Sequence, residues 1–404
     1  MSIRNKYPTL IIIAISAMIQ VLPMTAADKI PQTKDGITII TPRRRFPMDS
    51  VKPKRNLIEK IKYYFDHTND VKEDYKKFDW SIIGGPYYSS DVHFGIGLVA
   101  SAQYRTSMTD SLLRPSNAAL KAQVSTTLFY SFSFSGEHIF PGNRWILDYK
   151  AKFQSLPTYF WGIGYANARD DIKSKYKELS LVTHADFLYR PIDRLYVGPS
   201  VDFNYFHTRN RRENLQLWDG MQLKNTIFGI GFKVSYDSRD NITAPDKGWL
   251  LSLSQRFYPK ILGNNNHSFS STELELCHYR QLWKGGVLAG RIHGYFTYGK
   301  TPWSMMPTFG DIGMRGYYYG RYRDKYETDI TLELRQHVWR RNGIVFWVGA
   351  AEVAPDLAHF TMRKVLPNIG IGYRWEFKKN VNVRVDFGIG KGTTGFEFNI
   401  NEVF

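Results

Sequence analysis

The chemistry available to this chain centres on a guanidinium and the carboxylates that could neutralise it. Met314-Arg315-Gly316-Tyr317 lies inside a long stretch, Gly299 to Asp324, that shows no alternation. Strict alternation starts soon after it. Ile330, Leu332, Leu334, Gln336 and Val338 take one side, and Thr331, Glu333, Arg335, His337 and Trp339 the other. A loop this long feeding such a strand is a functional-loop pattern rather than a connector. An Arg315 folded back into a narrow closed sheet needs a carboxylate, because an unpaired buried guanidinium is costly. Glu333 is the first candidate; Glu376 and Asp386 fall on the polar sides of later runs and come next. Gly316 lets the backbone pass close to a wall. Tyr317 can pack on that wall with its hydroxyl free to bond. The alternative is an Arg315 solvated on the loop surface.

No enzymatic or metal chemistry is expected from spacing. The ten histidines are scattered and none makes a metal-ligand spacing. No Gly-x-Ser-x-Gly elbow or phosphate-cradling loop occurs, so no cofactor is expected. An enzyme would need a Ser/His/Asn or Asp/His cluster assembled only by the fold. Arg335, Arg374 and Arg384 with Glu333, Glu376 and Asp386 read instead as a structural charge lattice. The single cysteine, Cys277, excludes an intramolecular disulfide and is expected to be a small packing residue.

The elements that must position these residues are strands. From Phe78 to Phe404 the chain is a succession of alternating runs. Ile369, Ile371, Tyr373, Trp375 and Phe377 alternate with Gly370, Gly372, Arg374 and Glu376. Val381, Val383, Val385, Phe387 and Ile389 alternate with Asn382, Arg384, Asp386 and Gly388. Short turns (RPIDR, LWKGG, RRNG, KKN) alternate with long segments near 163–175, 208–222, 259–268, 299–323 and 354–367. That is the loop rhythm of a bacterial outer-membrane barrel. Fifteen runs are visible. Asn117 to Phe140 is long for one membrane strand of about 10 residues, so it hides two. The expectation is an all-β, closed antiparallel transmembrane barrel of about 16 strands. Alternation would also suit a soluble sandwich. A mean hydropathy of −0.37 argues against a polytopic helical membrane protein and leaves a barrel open, and an aromatic content of 15%, a signal-like start and the terminal strand favour the membrane barrel over the sandwich.

Met1 to Ala27 has a basic start, an apolar core from Leu10 to Ile19 and a small-residue end, the pattern of a secretory signal. Residues 28–77 read as a basic periplasmic tether, with a short helix from Leu57 to Phe65 capped by Asn56. Residues 78–404 are the barrel. The net charge of +17 is spread over turns and loops. Outer-membrane lipid and anionic lipopolysaccharide are the expected partners, not nucleic acid.

The chain closes on TGFEFNINEVF, with Phe396, Phe398, Ile400 and Phe404 expected on one face. A terminal Phe after alternating apolar residues resembles the recognition signal at the end of outer-membrane barrels, here Phe398, Ile400 and Phe404. MRGY in its loop, the YDSRDN turn starting at Tyr236 and the terminal VNVRVDFGIGKGTTGFEFNINEVF together resemble the BamA/TamA superfamily, the bacterial surface antigen group. The resemblance covers about Phe78 to Phe404. It implies a 16-stranded barrel whose long loop before the twelfth strand folds inward, its tip, here Arg315, Gly316 and Tyr317, held by inward strand residues. It further implies insertion or translocation of polypeptides or lipids at the outer membrane, both termini periplasmic, and client polypeptides as partners. Two departures stand out. Where many members carry an Asp that helps hold the Arg, this chain has Gly349, so the partner must differ. The tether is too short for even one of the family's periplasmic repeat domains, so a single-domain form is expected, with client handling either absent or left to a separate periplasmic partner. A passive or gated pore and a barrel-borne enzyme are the competing functions.

Overall fold

The computed structural model describes residues 78–404, apart from 90–91, 108–112, 114, 265–266, 311–312, 379–380 and 401. The expected signal and tether lie outside the described residues. Sixteen antiparallel strands pair in chain order into one closed barrel. They are β1 (Phe78–Ser89), β2 (His93–Tyr104), β3 (Ser116–Ser125), β4 (Tyr130–Ile139), β5 (Trp145–Phe160) and β6 (Ser174–Ile192). Next come β7 (Leu195–Arg212), β8 (Lys224–Asp237), β9 (Gly248–Tyr258), β10 (Phe269–Trp283) and β11 (Gly286–Gly299). After the long loop follow β12 (Tyr326–Trp339), β13 (Asn342–Ala354), β14 (Leu366–Lys378), β15 (Val381–Gly390) and β16 (Thr393–Ile400). Asn117 to Phe140 does hold two strands, β3 and β4. Leu128 turns the chain between them at φ 63°.

The period of two sets what faces lipid and what faces the lumen. On β12, Ile330 and Leu332 are 50% and 48% exposed, while Thr331 and Glu333 between them are 1% and 0%. The same outward apolar row continues through Phe346 and Val348 on β13 and Ile369 and Ile371 on β14. Trp145, Trp249, Trp283 and Trp339 are exposed at the short-turn ends of their strands, where amphipathic rings suit a membrane interface. Inward positions carry serines, such as Ser155, Ser180 and Ser200, and paired charges.

At the opposite end, β6 and β7 run 19 and 18 residues, well beyond the roughly 10 needed to cross a bilayer. The ends of these two strands away from their turn carry exposed Lys175, Arg209, Arg211 and Arg212. The basic charge is therefore denser here than its spread along the sequence suggests.

Candidate functional site

The segment 300–325 between β11 and β12 folds into the barrel. Trp303, Phe309, Met314, Tyr317 and Tyr322 along it are all buried. Arg323 organises it from within: its Nη1 donates to the Trp303 carbonyl at 2.9 Å, and its backbone bridges to Gly164 and Thr308. Arg321 Nε donates to the carbonyl of Ala168 at 3.1 Å, in α1 (Tyr165–Arg169) of the β5–β6 connection. The long loops thus brace one another over the lumen.

Arg315, 1% exposed, sits at the inner tip. Its Nη2 donates to Glu333 Oε2 at 2.5 Å and its Nη1 to Asp386 Oδ2 at 2.9 Å. The guanidinium carbon lies 3.6 Å from the ring centre of Trp347, a cation–π stack. Asn368 Nδ2 donates to the Arg315 carbonyl at 3.0 Å. Gly316 follows at φ 108°, in the left-handed region, and a Cβ there would sit 2.7 Å from the Gly388 carbonyl carbon. Gly388, Gly390 and Gly395 on β15 and β16 leave the room into which Gly316 and the Tyr317 ring fit. Tyr317 donates its hydroxyl to the Pro367 carbonyl at 2.8 Å and accepts from the Lys391 amide at 2.8 Å. Burial pushes its pKa up to about 12, so the phenol keeps the proton it donates.

Two of the three carboxylates expected at Arg315 are therefore there. Glu376 is not. It faces Asn382 in the β14–β15 register, whereas Asp386 faces Gly372. Four residues of strand separate the two levels, about 13 Å at the usual rise, with Arg374 in between. Arg374 Nη1 bonds Asp386 Oδ1 at 2.6 Å, Arg384 Nη1 bonds Asp386 Oδ2 at 2.6 Å, and Arg335 Nε bonds Glu333 Oε1 at 2.7 Å. With Arg315 these make four guanidiniums. Glu333, Asp386, Glu397 and Glu402 answer them. Such a balanced network is held together by geometry, since removing one member strands the charge of another.

Glu402 enters from the C-terminal tail, which the expected alternation misplaces. β16 ends at Ile400, whose side chain is outside the described residues. Beyond it the tail turns inward. Glu402 bonds Arg374 Nε at 2.8 Å and Asn382 at 2.7 Å, and its amide reaches the Thr243 carbonyl in the β8–β9 turn, just after YDSRDN. Phe404 leaves the face expected of it. It packs with Cys277, Tyr279 and Ala289 inside the barrel, and its backbone oxygen accepts from Arg335 at 2.9 Å.

Closure is thin where the chain's ends meet. β1 pairs with β2 along its length, Phe78 to Ser89. Among the described residues it shares one paired position with β16, Ser89 opposite Glu397. Tyr88 and Phe396 touch across this seam at 5.9 Å between rings. Phe398 turns onto Tyr87, Val92 and Phe129. Consecutive residues of β16, Thr393 to Asn399, line a cavity of about 300 Å³ together with Lys121, Lys152 and Tyr317. The loop tip thus forms part of the wall beside the seam.

Sequence spacing had no way to reveal Trp347, Asn368 or Glu402, because each reaches the site through register or through the tail. A second lumen cluster was missed for the same reason: His293 on β11 lies against Glu327 and Asp329 on β12.

Residues 114–364 match the Omp85 superfamily domain. No curated protein matches the sequence. The fold is similar to BamA from Haemophilus ducreyi lacking POTRA domains 1–3, with a TM-score of 0.53 and 13% identity over 80% of this chain and 69% of that one. It is equally similar to CdiB from Escherichia coli, with a TM-score of 0.54 and 9% identity over 80% of this chain and 62% of that one. A family match across more than half the chain, on a 16-stranded barrel with an inward loop, makes this an integral outer-membrane barrel of the Omp85 superfamily.

Proposed function

We propose that the barrel assists insertion or translocation of polypeptides, or lipids, at the outer membrane, and that the β1–β16 seam is where the client meets it. The observation that carries this reading is the single paired position between the two strands. An edge with unpaired N–H and C=O groups is a template on which an extended segment can add. Loop 300–325 and tail residues 402–404 occupy the lumen, which favours a seam that opens sideways over a standing pore or an enzyme cleft. Arg315, Gly316 and Tyr317 act as the lock that holds the loop against β12, β15 and β16. Both termini are periplasmic in this reading, the side of the short turns. The basic outer ends of β6 and β7 then face lipopolysaccharide, and a separate periplasmic partner delivers the client.

Photocrosslinking in cells tests this. A photoreactive residue on β1 or β16 should capture outer-membrane or surface polypeptides, and the same residue on β8 should not. Equal capture at all three, together with an unchanged surface proteome on depletion, would remove the reading.

A further inference from the structure

Three side chains from two strands converge beside the base of the inward loop. His293 stands directly opposite Asp329 in the β11–β12 register, and Glu327 lies two residues before Asp329 on the same inward face. His293 Nδ1 is 3.1 Å from Asp329 Oδ2 and 3.2 Å from Glu327 Oε2. One ligand atom from each of the three lies within 4.8 Å of the others. Ligands at the usual Zn²⁺ distances of about 2.0–2.2 Å sit roughly 3.3–3.6 Å apart on a tetrahedral edge. The His293 contacts need to open by only a few tenths of an ångström to admit the ion.

The atoms behind the ligands are already in place. Arg291 Nη1 donates to Asp329 Oδ1 at 2.8 Å and also to Oδ2 at 3.1 Å, a longer contact that the ion would take over. His293 Nε2 faces Glu273 Oε1 at 3.6 Å, on the side where a carboxylate fixes the tautomer that leaves Nδ1 free to ligate. Glu327 differs. It is 2% exposed, and its Oε1 has no hydrogen-bond partner among the described residues. A buried carboxylate oxygen in that state carries a desolvation cost that a bound cation removes. The charges agree. Glu273, Glu275, Glu327 and Asp329 face two guanidiniums, Arg256 and Arg291, and Arg256 is shared with Asp202.

We propose that His293, Glu327 and Asp329 bind a divalent transition-metal ion. One imidazole and two carboxylates suit Zn²⁺ best, with Glu327 Oε1 available for a second bond. The ion joins β11 to β12 directly beneath the loop. Gly313, two residues before Arg315, accepts from Thr331 Oγ1 at 2.9 Å, and a Cβ on it would lie 2.9 Å from Arg291 Nη1. The site holds whether or not the barrel moves clients. The competing arrangement is a protonated His293 bridging the same carboxylates with no ion.

The test uses the full chain purified in detergent, stripped with a chelator, reloaded with Zn²⁺ and freed of excess. Metal content by mass spectrometry should give one equivalent per chain. His293→Gln, Glu327→Gln and Asp329→Asn should each weaken Zn²⁺ binding by more than the roughly 10- to 100-fold that losing an outer-shell partner costs. His184→Gln alters the other lumen histidine flanked by carboxylates, Asp186 and Asp202, and should leave binding unchanged. Co²⁺ in the same site should give the visible absorption of a low-coordinate N/O complex, lost in His293→Gln. Folding of each variant is read from its heat-dependent gel shift, and if a ligand variant fails to fold, wild-type stoichiometry and the Co²⁺ spectrum decide. Wild type retaining no more Zn²⁺ than a Glu327→Gln/Asp329→Asn double variant, a featureless Co²⁺ spectrum, or equal loss in His184→Gln would overturn the assignment.

Discussion

Arg315 and Asp386 lie 71 positions apart in the chain and are joined by a 2.9 Å ion pair in which each side chain is 1% exposed. The pair fastens the tip of the inward loop to β15, one strand from the seam. Glu333 holds the same guanidinium from β12. One residue therefore clamps two walls of the barrel to the loop between them.

Arg315→Ala leaves Glu333 and Asp386 facing a vacated site, although Arg335, Arg374 and Arg384 still neutralise part of their charge. The expected loss is about 3–5 kcal/mol, the cost of breaking a buried pair by removing one partner. It should appear as a lower heat-unfolding midpoint in detergent with an unchanged β-sheet circular dichroism spectrum. Arg315→Lys should recover only part of it, because lysine keeps the charge and lacks the two-pronged fork.

Gly316→Ala should displace the loop tip. Its φ of 108° and the 2.7 Å approach of a Cβ to the Gly388 carbonyl carbon act together. A strain of about 1–3 kcal/mol is expected. Limited proteolysis should then cut within 300–325 in the folded barrel. Wild-type resistance in this variant would show that the wall yields.

Removing Phe404 separates biogenesis from stability. The proposed targeting role of Phe398, Ile400 and Phe404 is exercised before folding, while in the folded barrel Phe404 adds one edge to a small cluster at Tyr279 and one carbonyl to Arg335, which keeps its pairing with Glu333. The folded fraction in cells should fall strongly, and refolding in detergent should stay nearly intact. Equal loss in the two settings would assign Phe404 to stability alone.

Asp324 gives a pH signature for the loop. Burial pushes its carboxyl above the ordinary value, and the Lys325 amide only partly offsets this. A raised folded-state pKa means that the folded state binds more protons than the unfolded one above about pH 4. Asp324 therefore costs stability as pH rises from the ordinary carboxylate range through its folded value. Asp324→Asn should gain stability relative to wild type over that window and show no difference below it. Paired unfolding midpoints from pH 3 to 7 measure this.

Much of the barrel was legible because lipid enforces alternation on every strand, so β12, β14 and β15 appear in the sequence with their faces assigned. The β3–β4 turn was hidden, because it is made by Thr126 to Phe129 with Leu128 at positive φ, where neither glycine nor proline marks it. Within the site, Arg315, Glu333 and Asp386 were legible from polarity and strand face. Glu376 has the same face and the wrong height, and height comes from register, which alternation does not fix. Phe404 followed the period of its neighbours on paper. The chain leaves the strand after Ile400, and Glu402 and Phe404 find better partners inside. His293, Glu327 and Asp329 meet only across a strand pair, so no linear spacing announces them.

The most direct measurement closes the seam reversibly. Ser89 and Glu397 are Cα partners, a separation a disulfide can span. Ser89→Cys/Glu397→Cys, in a Cys277→Ala background that removes the chain's single native thiol, should form that bond on oxidation. The oxidised barrel should be folded and inserted, should lose assembly of its surface proteins to the level seen on depletion, and should recover on reduction. Full assembly with the seam covalently shut would contradict the account.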